Sequence, residues 1–224
     1  MKRLPGWALR GLHVLVAAVT PVALLLTTVR LLLTPVFVQV EYRTPGFPED
    51  TYGFTREDRL LWASLALDYL LNDEGIEFLG DLRFEDGEPL YNERELMHMV
   101  DVKVLVQALL KVWLGLALSL GALGVWAWRT DSLTLFVRML GRGGVLTGVV
   151  AALLLGYLAV NFNQLFIDFH SLFFEGDSWL FLYSDTLIRL FPVRFWRDAF
   201  LAVGGLTLGG AAGLWWLGKR QPTT

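Results

Sequence analysis

The chain contains no cysteine, which removes disulfides, thiol nucleophiles, thiolate metal sites and a lipid-bearing cysteine of its own. Histidine is scarce, at three residues, and no His-x3-His or His-Glu-x-x-His spacing supports a metal site. No Gly-x-Ser-x-Gly elbow activates Ser171, Ser178 or Ser184, so nucleophile candidates are few. A net charge of −3 gives no support to nucleic-acid binding, and no internal repeat or low-complexity tract stands out. Charged residues make up only 18% of the 224 positions.

Hydrophobic residues, by contrast, reach 54%. With a mean hydropathy of +0.49 the chain reads as a membrane protein. Four stretches, 12–33, 104–126, 144–166 and 199–217, are long enough to cross about 30 Å of hydrocarbon, which takes roughly 20 residues each. The basic N-terminus and the apolar run after it resemble a signal sequence, but the run is too long, so it reads as an uncleaved first helix. Lys2, Arg3, Arg10, Arg129, Arg138, Arg142, Lys219 and Arg220 flank one face, with Asp131 the only acid among them. The positive-inside rule then makes both termini and the 128–143 loop cytoplasmic, and 39–103 and 168–198 extracytoplasmic.

The fold class expected is an all-α integral membrane protein: a four-transmembrane-helix bundle forming one membrane domain over 1–224, with a small α+β cap at 39–103. In that cap, Thr55-Arg56-Glu57-Asp58 predicts a capped helix that stops near Asn72–Gly75. Asp86-Gly87 predicts a β-hairpin whose second strand, containing Pro89, lies at an edge. Asn92 to Lys103 should form a helix that continues into the second span. Gly205, Gly209 and Gly213, with Gly144, Gly148, Ala152 and Gly156, permit close helix approach; packing within one bundle is the ordinary reading and a homodimer face the alternative.

Ionisable groups in apolar spans are candidates for function. Arg30 on the first span, the stripe Lys103, Gln107 and Lys111 on the second, and Tyr157, Asn161, Gln164 and Asp168 on the third all fall towards the outer half. Taken singly, Arg30 and Lys111 read as snorkelling side chains. Together, the three sets predict a polar cleft open to the outer leaflet. His98 and His170 sit where helices leave the membrane on that side, whereas His13 lies near the opposite face. Glu95 and Asp101 flank His98 at helical spacing and Asp168 precedes His170, an arrangement able to orient each imidazole and raise its basicity. Interfacial histidines bonded to headgroups or carbonyls are the plainer reading of the same pattern.

The strings Glu95-Leu96-Met97-His98-Met99-Val100-Asp101-Val102-Lys103 and Phe169-His170-x-x-Phe173-Phe174 resemble the bacterial lipoprotein intramolecular transacylases and their wider family of four-span membrane proteins. Trp179, Asp185-Thr186-Leu187-Ile188-Arg189-Leu190-Phe191-Pro192 and Phe195-Trp196 extend the match, which covers essentially the whole chain. The resemblance implies an acyl transfer from the sn-2 glyceryl oxygen of a diacylglyceryl-cysteine lipoprotein to the α-amino group of the same cysteine. Its partners are then membrane lipids and the diacylated lipoprotein; no cofactor and no metal are expected, and the sequence leaves the oligomeric state open, with a monomer favoured. His98 and His170 take the catalytic positions, with Glu95, Asp101, Asp168 and Lys103 in support. Arg30, Lys111, Asn161 and Gln164 are expected oxyanion or substrate contacts. A lipid or lipoprotein deacylase using the same histidines with water is an alternative, as is a non-enzymatic lipid- or partner-binding protein.

Overall fold

The structure, a computed structural model, describes residues 5–222, so Lys2 and Arg3 of the basic N-terminus lie outside the described residues. Nine helices occur among those residues: α1 Gly6–Leu32, α2 Pro35–Glu41, α3 Arg56–Leu71, α4 Glu77–Gly80, α5 Glu93–Arg129, α6 Leu133–Val160, α7 Phe162–Phe173, α8 Thr186–Leu190 and α9 Val193–Lys219. Helices α1, α5, α6 and α9 are long and apolar enough to cross a membrane. Apolar side chains such as Leu15, Leu118, Leu153 and Leu206 point out of the protein, as lipid-facing surface requires. The predicted stretch 144–166 falls on two helices. Asn161 leaves the helical conformation and its side-chain oxygen accepts from the Gln164 N–H at 3.1 Å, so it starts α7 instead of continuing α6.

The chain folds as two compact units. The first comprises the chain up to Arg30, Leu110–Val160 and the chain from Leu201 onward; the second comprises Leu31–Leu109 and Asn161–Phe200.

Within the first unit, α6 and α9 meet along small residues spaced by seven. A Cβ at Gly141 would come within 2.8 Å of the Gly218 Cα, and one at Gly144 within 2.7 Å of the Ala211 carbonyl oxygen. Gly148 faces the Ala211 methyl, and a Cβ on Gly204 would collide with Leu155. The seam therefore reads 141–148–155 against 204–211–218, the heptad repeat of left-handed helix pairs. Of the residues expected to do this, Gly144 and Gly148 lie on the seam, whereas Gly205, Gly209 and Gly213 have nothing within 4 Å of their Cβ positions, nor does Gly156. A period of four drifts off the contact line of a left-handed crossing and a period of seven stays on it. Gly141→Leu is expected to cost about 1–3 kcal/mol through overpacking. Thermal denaturation in detergent should read this as a fall of roughly 2–10 °C, with Gly209→Leu close to wild type.

In the second unit, α3 opens on the predicted capping box. The Asp58 N–H donates to Thr55 Oγ1 at 3.1 Å and the Thr55 N–H to Asp58 Oδ2 at 2.8 Å. One face of α3 buries Ala66 and Tyr69 with Leu79, Leu90, Tyr91, Met99, Leu187 and Leu190. Another buries Ala63 and Leu67 with Val38, Tyr42 and Phe195. An ion pair of 3.0 Å between Arg189 and Asp50, with Arg59 donating to the Pro48 carbonyl at 2.7 Å, straps the 44–54 segment onto this core.

The predicted β-hairpin is corrected: among the described residues there is only an isolated antiparallel bridge, Arg83 to Pro89. The Phe84 N–H donates to the Glu88 carbonyl at 2.9 Å, which encloses three residues, with Gly87 at φ +89°, in place of a two-residue Asp-Gly turn. One further rung, Leu90 N–H to the Leu82 carbonyl at 3.0 Å, ends the pairing. The pairing stops because the Leu82 N–H turns back to the Leu79 carbonyl at 3.2 Å and the Leu90 carbonyl accepts from Thr186 Oγ1, and Leu90 and Tyr91 enter the helical core. The α+β cap is thus helical, and the fold is all-α.

Candidate active site

Every element of the site described below belongs to the second unit. His98 lies one turn into α5, a helix that begins with a reciprocal cap. Asn92 Oδ1 accepts from the Glu95 N–H at 3.0 Å, and Glu95 Oε2 accepts from the Asn92 N–H at 2.9 Å. The other oxygen, Glu95 Oε1, accepts from the Leu187 N–H at 2.6 Å at the start of α8. One carboxylate, 1% exposed, thus closes the N-termini of two helices, where partial positive charge favours it. Asn92 Nδ2 also donates to Asp185 at 3.3 Å, and Asp185 in turn accepts from the Leu182 N–H at 2.8 Å. Arg94 donates to the Leu180 carbonyl at 3.2 Å. These bonds tie the 180–187 loop to the head of α5 and set the Phe181 ring 5.3 Å from that of His98.

His170 sits on α7, near its C-terminal end. Its Nδ1 lies 2.8 Å from the Phe166 carbonyl, which can only accept, so Nδ1 carries the proton and Nε2 keeps its lone pair. Burial pushes the imidazole below the usual histidine range, since removing water disfavours the cation. This reverses the expected upward push from Asp168, whose carboxylate is exposed and accepts from Gln164 Nε2 at 2.8 Å.

The two imidazoles face each other at 6.3 Å between centroids, with planes 24° apart. Each is 8% exposed. The walls are aromatic. Phe174 contacts both rings, Phe181 packs on His98, and Phe166, Phe169 and Trp179 pack on His170. His98 Nδ1 is enclosed and has no hydrogen-bond partner among the described residues. A buried polar atom left unpaired costs about 1–3 kcal/mol, so a bound partner has something to gain there.

The remaining predicted residues take other positions. Lys103 is buried: its ammonium donates to Asn72 Oδ1 at 3.0 Å and the Glu74 carbonyl at 2.6 Å, and lies 4.1 Å above the Tyr69 ring. It serves the C-terminal end of α3, where a cation is favoured. Gln107 donates to the Asn72 carbonyl at 3.0 Å. Asp101 is exposed and makes no hydrogen bond or ion pair among the described residues. Asn161 and Gln164 are exposed on α7, Asn161 as its cap. Arg30, in the last turn of α1, and the exposed Lys111 belong to the first unit. No set of three or more histidine or carboxylate side chains converges as a metal site would need, among the described residues.

Sequence reasoning paired Glu95 with His98 and missed its actual partners. The signal for the cap was present as Asn92-x-x-Glu95 before an apolar run; the bond to Leu187, 92 positions away, had none.

The lipoprotein intramolecular transacylase Lit family profile matches residues 14–196. An uncharacterized protein of Aquifex aeolicus is 32% identical over 182 residues, covering 76% of each chain. The fold is similar to the solved structure of the membrane integral lipoprotein intramolecular transacylase Lit from Bacillus cereus, with a TM-score of 0.81 at 21% identity and 97% of each chain covered. A histidine-to-alanine variant of that protein superposes with a TM-score of 0.71 at 18% identity, covering 96% of this chain and 94% of the other.

Proposed function

The chain belongs to the lipoprotein intramolecular transacylase Lit family, a multi-pass membrane protein family of enzymes, and on that premise we propose that it acts on a diacylglyceryl-cysteine lipoprotein. It moves the sn-2 acyl chain to the α-amino group of the same cysteine. The observation that carries this reading is the pair of buried imidazoles 6.3 Å apart, one of which has its tautomer fixed by a backbone carbonyl.

In the proposed step the α-amino nitrogen attacks the sn-2 ester carbonyl carbon, and the carbonyl electron pair moves to oxygen. The amine proton passes to His170 Nε2, the nitrogen left basic by the Phe166 bond. Collapse re-forms the carbonyl and breaks the bond to the glyceryl oxygen, which takes that proton back. His98 hydrogen-bonds the intermediate through its unpaired ring nitrogen. Both reactants belong to one substrate, so the protein's task is to hold amine and ester together; well-aligned proximity is worth about 7–11 kcal/mol. The phenyl walls exclude water and so favour transfer over hydrolysis. Glu95 supports the site by holding the loop that carries Phe181, and Lys103 by fixing α3 against α5.

Basic residues at one set of helix ends support a topology with both termini cytoplasmic and the histidines at the extracytoplasmic leaflet. Membrane lipid and lipoprotein are the partners of this reading. Expression in a bacterial host lacking its own N-acylating enzyme tests it. Lipoproteins should gain an N-acylated, lyso-form N-terminus, which is an isomer of the diacyl form, so tandem fragmentation rather than intact mass reads the change. Free fatty acid with loss of mass would mean deacylation instead.

A further inference from the structure

Five aromatic side chains pack on the histidine pair: Phe166, Phe169, Phe174, Phe181 and Trp179. Four are phenyl rings with nothing to donate. The fifth, Trp179, lies with its ring centroid 4.9 Å from that of His170 and its plane tilted by 34°. Its indole Nε1–H is enclosed, yet it has no acceptor among the described residues. Buried Trp N–H groups usually find a partner, because leaving one unpaired costs about 1–3 kcal/mol. Packing alone does not explain the indole, since Phe would fill the same wall without that cost.

Acyl transfer develops negative charge on one oxygen. With His170 taking the amine proton, His98 alone is left to bond the intermediate, and an oxyanion is held best by more than one donor. A preorganised N–H in a water-poor site, left unpaired until charge appears, is the arrangement that stabilises an oxyanion most. We propose that the Trp179 indole N–H is a catalytic hydrogen-bond donor to the sn-2 carbonyl oxygen as it becomes an oxyanion in the tetrahedral intermediate. This assignment rests on the transacylase reading above. Trp179 forms no bond and transfers no proton; it donates one hydrogen bond that strengthens as the carbonyl electron pair moves to oxygen and weakens as the glyceryl oxygen leaves.

The test uses the full-length protein in lipid nanodiscs with a synthetic diacylglyceryl-cysteine peptide, following loss of the free α-amine. Trp179→Phe is expected to lower kcat about 100-fold, the loss typical of one oxyanion donor, with KM within about threefold. To separate the N–H from ring packing, a second variant carries β-(3-benzothienyl)alanine at position 179, an isostere with sulfur in place of N–H. It should show the same fall in kcat while its thermal midpoint stays at the wild-type value. Wild-type kcat in the benzothienyl variant would overturn the assignment while leaving the transacylase reading intact. A wild-type protein that consumes no α-amine overturns that reading, and this inference with it.

Discussion

His170→Ala is expected to abolish N-acylation, lowering the rate about a thousandfold, within the range for loss of a general base. The protein should still insert, with a thermal midpoint lower by several degrees because the ring packs among Phe166, Phe169, Phe174 and Trp179 and its loss leaves a cavity. His170→Gln, which retains a hydrogen-bonding side chain without a titratable nitrogen, should not rescue. The pH profile adds a second readout. The base works as neutral imidazole and the nucleophile as free amine, so kcat/KM falls once through the substrate ammonium's pKa, about 7.7–8.0, and a second time, more steeply, through the histidine's. Burial holds the histidine pKa below the ordinary 6.5, which places that second limb on the acid side of 6.5. A carboxylate partner would have moved the limb to the alkaline side. The profile, measured on the reconstituted protein, therefore distinguishes a histidine tuned by aromatic burial from one tuned by Asp168.

Glu95→Ala is expected to be the most destabilising single change around the site. Its carboxylate satisfies two backbone N–H groups, on Asn92 and Leu187, from a position that is 1% exposed. Truncation leaves both donors unpaired, at about 1–3 kcal/mol each, and opens a cavity. A thermal midpoint lower by roughly 10 °C follows for a chain of this size. Glu95→Gln should fall between, since the amide oxygen can accept from one N–H but its NH2 meets the other. Activity should track the 180–187 loop rather than the charge itself. If Glu95→Gln kept wild-type stability yet lost all activity, the carboxylate would be acting on His98 directly, and its place as a clamp would be wrong.

The four apolar helices were legible in the sequence because hydrocarbon thickness imposes their length, and the start of α3 was legible in Thr55-x-x-Asp58 because a cap is a local device. The histidines were legible as a pair through the strings around them. Their environment was not. Acids at helical spacing from His98 suggested a charged setting, but Glu95 had stronger claims from two helix N-termini, and aromatic rings drawn from α7 and the loop after it closed around both imidazoles. Such pairings join positions far apart in the chain, and no pattern in a single sequence marks them. The Asp-Gly hairpin failed because Leu82 and Leu90, which would carry the next rung, are bonded to Leu79 and Thr186 instead. On α6 the seam was legible in Gly144 and Gly148, but its α9 side runs through Gly204, Ala211 and Gly218 at a spacing of seven and not through Gly205, Gly209 and Gly213.

The central claim is transfer within one substrate molecule at the histidine pair, and a crossover measurement tests it most directly. Two diacylglyceryl-cysteine peptides, one with a longer peptide and a deuterated sn-2 chain and the other shorter and unlabelled, are mixed with the reconstituted protein and resolved by tandem mass spectrometry. The account predicts N-acyl cysteine in both, deuterium only on the longer peptide, and no product with His170→Ala. Deuterium on the shorter peptide, or its release as free fatty acid, would contradict the account.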